Sequence, residues 1–422
     1  MELLNKYLSG ILMPAFLITL GIYFALKLKF FYIFHPIKTI KAMLKNQKQG
    51  FKALCVALAG TLGIGNIVGV ASAICMGGAG SVFWMWISAI CAMSLKYAEV
   101  YLAMKFRKER DGKFFGGAPH YIRDGLKGKF GTKIAYALSC IFAILCVINS
   151  LTTGNLVQIN SVSTLTSFSP LMFGVIFSAL ALIVILGGIK RISKLTSILI
   201  PFLSITYILI CLFVILGNIE KVPMVFTMIF RDAFSLKCAT GGFCGYGIAY
   251  TIRYGIARGV ISNEAGCGTA PCAHASSDCN SFHGQSCLGI FEVFIDTILL
   301  CTLTAFVVLL AEPTNSSPMN LILSAFERYM GAFGARLITI LCVLFAFATV
   351  ICQFFYGIES IKFISKKRYS NAVYTIIFCL VTVIGAIIPM SLMWQISDLV
   401  IAIMTILNLV CLFLLRKDIN YR

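Results

Sequence analysis

Charged side chains are scarce in this chain of 422 residues, where they make up 12% of the sequence against 59% hydrophobic residues. So little charge cannot cover the apolar surface of a single water-soluble globule of this length, which excludes an ordinary soluble fold. Histidine is also rare, and His120 and His274 have no partner at metal-ligand spacing, so we interpret both as incidental. The 17 cysteines fall mostly in apolar segments without framework spacing, which indicates small hydrophobic residues in a reducing setting.

Long apolar stretches recur along the chain, and each can cross about 30 Å of hydrocarbon as a helix of about 20 residues. The sequence therefore predicts an all-α integral membrane protein with about 11 transmembrane helices. The stretch at 243–262 is the weakest of them, because it contains Arg253 and Arg258 and is rich in glycine. The predicted helices lie near 8–29, 53–77, 80–103, 134–157, 171–188, 196–217, 243–262, 285–311, 335–358, 371–388 and 394–415.

The net charge of +19 is concentrated in particular loops, which is typical of cytoplasmic loops in membrane proteins rather than of nucleic-acid binding. The loop after the first helix and the insert at 105–133 are both basic, whereas 158–170 carries no charge. With eleven spans, this alternation predicts an N-terminus outside and a C-terminus in the cytoplasm. The insert at 105–133 is the largest polar segment, and we expect a short amphipathic helix near 114–119.

A glycine run at 60–69 interrupts the second predicted helix. Each glycine costs roughly 1 kcal/mol in a helix relative to alanine, so the run needs a reason. One explanation is close helix packing through small residues. The other is local unwinding, which frees carbonyls for a cation and amides for a carboxylate. Asn66 favours unwinding, because its carboxamide would otherwise be costly in lipid.

A second anomalous stretch runs from 241 to 274 and contains the polar residues Ser262, Asn263 and Glu264. The two anomalous helices each begin a set of five, at about 53–217 and about 243–415. Interrupted helices at matching positions of two halves predict a 5+5 inverted repeat, preceded by one extra helix, with its binding site at the membrane midplane. The chain is read as one transmembrane domain over 1–422.

Several motifs resemble the alanine/glycine:cation symporter family of bacteria and archaea over nearly the whole chain. The matching segments are GTLGIGNIVGVA at 60–71, FWMW at 83–86, KYAE at 96–99, GNLVQ at 154–158, GGIKRI at 187–192 and IRYGIARGVISNEAGCG at 252–268. The resemblance implies a LeuT-like fold in the cell membrane and uptake of alanine, glycine, serine or a similar small amino acid. Sodium, or else a proton, would be the coupling ion, and no other cofactor is implied.

The resemblance also implies roles for individual residues. The carbonyls of Ala59 and Leu62 and the hydroxyl of Thr349 resemble a sodium site, although Thr349 can instead bond its own helix. Asn66 and Gln158 are expected in the substrate pocket, with interhelical hydrogen bonding as the alternative. The complete expected substrate-binding set is Gly63, Ile64, Gly65, Asn66, Gln158, Ile261, Ser262, Asn263, Gly266 and Gln353.

Ionisable residues inside the predicted spans must face protein or water. Lys96 and Glu99, three residues apart, are expected to pair with each other. Asp296 is either a proton site or a structural anchor. The remaining charged residues form either a gate or a structural salt bridge at a helix end, and they are Glu264, Arg253 and Arg258.

Three departures from the family pattern affect the expected pocket. Family members usually have GWSYYG in helix nine, where residues 352–357 read CQFFYG, so Gln353 stands where a pocket tryptophan is expected. Ile261 replaces an aromatic residue, and helix eleven lacks the usual Asn and Pro at 400–407. These changes leave open a glutamine- or asparagine-like substrate, or a nontransporting sensor or scaffold.

Other classes of function fit the sequence less well. No catalytic motif indicates a membrane enzyme, and two broken helices favour alternating access over a passive channel. The expected partners are a small amino acid and membrane lipid without nucleic acid, in a monomer or weak oligomer.

Overall fold

The computed structural model describes residues 2–45, 47–110, 112–166, 168–235, 247–311, 317–388 and 390–419. The first segment crosses the bundle as α1 (Glu2–Tyr7), a π-helical turn at Leu8–Leu12 and α2 (Met13–Lys27). Two short helices follow, α3 (Phe31–Phe34) and α4 (Pro36–Lys45).

The glycine run does interrupt the second predicted helix. Helix α5 (Gln47–Thr61) ends inside the run, a 3-10 turn occupies Ile64–Asn66, and α6 (Val68–Gly77) resumes the span. The two halves are bent by 62° at this point. The prediction of a local unwinding is therefore confirmed.

The next segment begins with α7 (Ser81–Lys105) and a hairpin of β1 (Lys108–Arg110) and β2 (Lys113–Phe115). Strand β2 occupies part of the segment in which a short amphipathic helix was expected near 114–119, and the helix begins only at Ala118. Helix α8 (Ala118–Leu151) turns at Gly131, whose φ of 78° favours glycine, and continues through a π-helical stretch at Thr152–Leu156 into α9 (Val157–Ser163).

The rest of the chain is helical apart from its connections. In order, the helices are α10 (Pro170–Ile185), α11 (Gly188–Leu216), α12 (Val222–Ala233), α13 (Ile248–Asn263), α14 (Pro271–Ala275), α15 (Phe282–Val293), α16 (Thr302–Leu310), α17 (Pro318–Ile364), α18 (Arg368–Gly385) and α19 (Met390–Leu414). A π-helical segment at Phe294–Cys301 joins α15 to α16. Residues 241–246 of the second anomalous stretch lie outside the described residues.

The bundle presents an apolar surface that only a bilayer can cover. Ile198, Phe202 and Leu209 on α11 are 66%, 63% and 61% exposed, and such large apolar faces need lipid as their solvent. Among the described residues, eight helices are long and apolar enough to cross a membrane, or nine with the bent pair. Helices α10 and α13, of 16 residues each, match the two other predicted stretches. The protein is an integral membrane protein, and the count of eleven stays a prediction.

The two interrupted segments lie in the middle of the bundle. Helix α13 packs on α6 and α7, α7 also contacts α2 and α15, and α17 contacts α5, α8 and α11. Close approach depends on small residues, since a Cβ on Gly255 of α13 would lie 2.3 Å from the Ser81 carbonyl oxygen of α7. This packing brings both breaks to one central site.

Candidate substrate and cation site

The first break redirects backbone groups that a helix would use internally. The Gly63 amide donates to the Thr61 carbonyl (2.9 Å) instead of the Ala59 carbonyl four residues back. The Ile64 amide donates to Gln158 Oε1 of α9 at 3.0 Å. Gln158 in α9 therefore contacts the backbone of the first break.

Neutral oxygens lie beside this break. Thr349 Oγ1 of α17 lies 3.4 Å from the Leu62 carbonyl and 3.1 Å from the Phe345 carbonyl of its own helix, so both expected contacts of this hydroxyl are present. The Ala59 carbonyl, released by the turn at Gly63, lies one helical turn before Leu62. A cluster of carbonyl and hydroxyl oxygens without a carboxylate suits a monovalent hard cation better than a transition metal.

The second break begins where α13 ends. Glu264, Gly266 and Gly268 have φ of 48°, 84° and 79°, a left-handed conformation that stops the helix and turns the chain toward α14. Glu264 is the non-glycine residue among them, and its carboxylate accepts hydrogen bonds from Thr269 Oγ1 (2.5 Å) and Gln353 Nε2 (2.8 Å). These two donors stabilise an otherwise unfavourable backbone geometry.

Side chains from two other helices, α7 and α19, hold the backbone of the second break. Lys96 Nζ donates to the Asn263 carbonyl at 3.0 Å. Glu99 Oε1 accepts the Gly268 amide at 2.9 Å. Asn408 Nδ2 of α19 donates to the Gly266 carbonyl at 2.8 Å. The carbonyl and amide groups freed at this break are thus satisfied by buried side chains, as backbone inside a membrane must be.

Asp296 joins the two breaks. Its carboxylate accepts Asn66 Nδ2 of the first break at 2.7 Å and Ser262 Oγ of the second at 2.8 Å. Thr297 Oγ1 also donates to it at 2.7 Å and accepts Asn263 Nδ2 at 3.0 Å. A Cβ on Gly65 would lie 3.4 Å from the Ser262 Cα, so the breaks are in direct contact. These hydrogen bonds correspond to the expected anchor role of Asp296. Within the described part of the chain, the buried Asn66 Oδ1 has no hydrogen-bond partner.

The expected pairing of Lys96 with Glu99 is wrong. Lys96 Nζ forms its ion pair with Glu292 Oε1 of α15 at 3.1 Å, and both side chains are fully buried. His274, taken as incidental, places Nε2 3.0 Å from Glu292 Oε2 and is also fully buried. Helical spacing suggested the local pair, but the packing of α7 on α15 brings a stronger partner to Lys96.

Gln353 bridges the breaks instead of standing free in a pocket wall. Its Nε2 donates to Glu264 Oε1 and lies 3.3 Å from the Gly60 carbonyl. Its buried Oε1 has no hydrogen-bond partner among the residues that the structure describes. A Cβ on Gly154 would lie 2.5 Å from this side chain. Glycine at 154 therefore makes the room that Gln353 occupies.

Ile261 lies at the edge of a small cavity that is also lined by Arg253, Arg258 and Asp398. Arg258 Nη1 and Asp398 Oδ1 are 3.6 Å apart. The Arg258 guanidinium also lies over the Trp394 ring, 4.6 Å from its centroid. An ion pair therefore lies beside Ile261, which is consistent with both expected roles of Arg258, a gate or a structural salt bridge.

Sequence reasoning missed several polar residues of the site. Glu292 is a charge inside a predicted span, which alone was a signal. Asn408 lies one residue beyond the segment in which an asparagine was looked for. Thr304 Oγ1 donates to the Asn66 carbonyl at 2.9 Å, and Tyr121 Oη donates to Asn408 Oδ1 at 2.5 Å. Hydroxyl side chains in apolar helices are too common for their spacing to identify these two.

Comparisons with known proteins agree with this architecture. A family model described as the sodium:alanine symporter family matches residues 1–421. The chain is 35% identical to the sodium/alanine symporter AgcS of Methanococcus maripaludis, over 97% of this chain and 93% of the relative. It is 32% identical to the "Probable sodium/glutamine symporter GlnT" of Bacillus subtilis, over 98% of this chain and 87% of that protein.

Among solved structures, the chain resembles MhsT in complex with L-phenylalanine. The TM-score is 0.53 at 12% identity, with 86% of this chain and 88% of MhsT covered. At this identity the likeness shows the fold alone, which is LeuT-like.

Proposed function

Because the chain belongs to the sodium:alanine symporter family, we propose that it takes up a small neutral amino acid such as alanine, glycine or serine together with sodium. The observation that carries this proposal is the contact between two unwound helices, joined by Asp296 through Asn66 and Ser262. Unwound helices at the centre of a bundle offer both carbonyls for a cation and amides for a carboxylate.

Each set of residues has a proposed role. Sodium binds the carbonyls of Ala59 and Leu62 and the hydroxyl of Thr349. The amino acid docks between the breaks, where glycines leave room for a small ligand. Its proposed contacts are Gly63, Ile64, Gly65, Asn66, Gln158, Ile261, Ser262, Asn263, Gly266 and Gln353.

Coupling follows from the shared first break. Gln158 and Thr349 approach the same short segment, since a Cβ on Gly63 would lie 2.7 Å from Gln158 Oε1 and 2.6 Å from Thr349 Oγ1. A cation that fixes the Leu62 carbonyl also fixes Gly63 and Ile64, so sodium prepares the backbone that the substrate contacts. Linkage requires that the substrate in turn raises the affinity for sodium.

We further propose alternating access between two inverted repeats, at about 53–217 and 243–415, after one extra helix. The N-terminus lies outside and the C-terminus in the cytoplasm of a bacterial or archaeal cell membrane. The basic loops support this orientation. Labelling of a C-terminal tag in intact cells by an impermeant reagent would contradict it.

The test is uptake of labelled alanine into proteoliposomes under an inward sodium gradient, and then under a proton gradient in its place. We expect accumulation with sodium and its loss in Asn66→Ala. Accumulation driven by protons alone would make the proton the coupling ion. No uptake of any small amino acid by folded protein would contradict symport.

A second substrate class is favoured by Gln353. Its Oε1, which has no partner among the described residues, can accept a hydrogen bond from a carboxamide or hydroxyl side chain of the substrate. One relative is named as a probable sodium/glutamine symporter. If this class is the right one, glutamine or asparagine competes with labelled alanine in the native protein and loses this ability in Gln353→Leu. Competition by alanine and glycine alone would exclude it.

A further inference from the structure

Helix α4 lies at the end of the bundle that holds the basic residues Lys27 and Lys105. Lys27, at the end of α2, donates to the Arg416 carbonyl beyond α19. Lys105, at the end of α7, pairs with Asp418 at 3.0 Å. Helix α4 begins nine residues after Lys27, and its 10 residues extend about 15 Å, which is too short to cross the hydrocarbon.

One face of α4 is fixed against the protein. Thr39 is 4% exposed, and Ala42 and Met43 are partly buried. These residues are three or four apart, so they share a side of the helix. Ala42 and Met43 pack against the hydrophobic core, and α4 is in contact with α15.

A second face is apolar and uncovered. Ile37, Ile40 and Leu44 are 68%, 51% and 57% exposed, and they follow one another at helical spacing. Phe34, the last residue of α3, is also 70% exposed. Single exposed apolar residues need no explanation, but three on one side of a short helix indicate an apolar partner.

The third face is basic. Lys38 and Lys41 are exposed, and among the described residues neither has an ion-pair partner. At 100° per residue these lysines lie about 100° around the helix from the apolar row. An interfacial helix typically has an apolar row beside a basic row. Helix α4 has both, and it lies at the end of a membrane bundle.

We propose that α4 lies in the plane of the bilayer surface, with Ile37, Ile40 and Leu44 among the acyl chains and Lys38 and Lys41 bound to anionic phospholipid headgroups. The two lysines select a negatively charged lipid over a zwitterionic one. A second protein copy would cover the apolar row but leave both lysines without a counter-charge. The charge of α4 therefore favours lipid as the partner.

The test is hydrogen–deuterium exchange of residues 36–45 in the full-length protein, held as single copies in nanodiscs. The discs contain phosphatidylcholine alone or phosphatidylcholine with phosphatidylglycerol. Each lysine near an anionic surface changes the binding equilibrium by about five-fold, so the pair slows exchange by up to about 25-fold in the anionic discs. The readout does not depend on transport.

Two variants separate the contributions of the faces. Lys38→Gln with Lys41→Gln is expected to abolish the difference between the lipids, whereas Ile37→Ser with Ile40→Ser is expected to speed exchange in both. Lys366→Gln with Lys367→Gln removes two exposed charges elsewhere and is expected to leave α4 unchanged. Equal exchange in the two lipids for the native protein would overturn the proposal. Protection seen only in discs that hold two copies would assign the face to a second copy instead.

Discussion

The buried ion pair between Lys96 and Glu292 gives a quantitative prediction. Lys96→Met removes the 3.1 Å contact with Glu292 and the 3.0 Å hydrogen bond to the Asn263 carbonyl. Removing one partner of a buried pair typically costs about 3–5 kcal/mol, because the other charge is left uncompensated. His274 still lies 3.0 Å from Glu292, so we expect the lower end, about 3 kcal/mol.

The assay is the free energy of unfolding in mixed micelles, from a denaturant titration. Lys105→Met on the same helix is the matched control, because its pair with Asp418 is about one-third exposed on both sides. Exposed pairs contribute about 0–1 kcal/mol. A destabilisation by Lys96→Met no greater than that of Lys105→Met would refute the reasoning.

A double variant tests the pair itself. In Lys96→Met with Glu292→Gln, no charge is left unpaired, and the new amide keeps a hydrogen bond to His274. We expect this double variant to be more stable than Lys96→Met alone, with a coupling energy of about 2 kcal/mol. Simple additivity of the two single changes would mean that the residues do not interact.

Further predictions concern the two breaks. Gly63→Ala places a Cβ 2.6 Å from Thr349 Oγ1, so the initial rate of uptake should fall at least about ten-fold. The control is Gly69→Ala, whose Cβ has no described atom within 4 Å, and it should keep the native initial rate. Equal effects of the two would contradict the tight fit at Gly63. Asp296→Asn removes the charged acceptor of the Asn66 amide and the Ser262 hydroxyl. The initial rate of uptake at low substrate concentration should therefore fall about ten-fold or more. Gln158→Leu leaves the buried Ile64 amide without its acceptor, and thermal denaturation should show a loss of about 1–3 kcal/mol. Unchanged rates for Asp296→Asn, or an unchanged midpoint for Gln158→Leu, would count against these contacts.

Much of the fold could be predicted, because bilayer thickness fixes the length of an apolar helix. The break near Gly63 was predictable, because Asn66 beside the glycine run favours unwinding over close helix packing. The hairpin at 108–115 was not, because three-residue strands leave no periodic pattern. The left-handed Glu264 could not be predicted either, since its conformation depends on Thr269 and Gln353, which only the fold brings to it.

In the site, contacts across the breaks were easier to predict than contacts between charges. Thr349 approaches the Leu62 carbonyl, which is the contact that the family resemblance implied, and Gln158 contacts the Ile64 amide of the same break. The partner of Lys96 was missed, because spacing along one helix carries no information on what another helix brings. Glu292 and His274 are close to Lys96 only through the packing of α15 and α14 on α7.

The most direct test of coupled transport is to follow labelled sodium and labelled alanine entering the same proteoliposomes. Our account predicts that each solute accelerates the entry of the other, and that Thr349→Ala weakens the sodium dependence while Asn66→Ala abolishes both fluxes. Alanine entry at the same rate with and without sodium, in protein that binds alanine, would contradict a symport that depends on the shared first break.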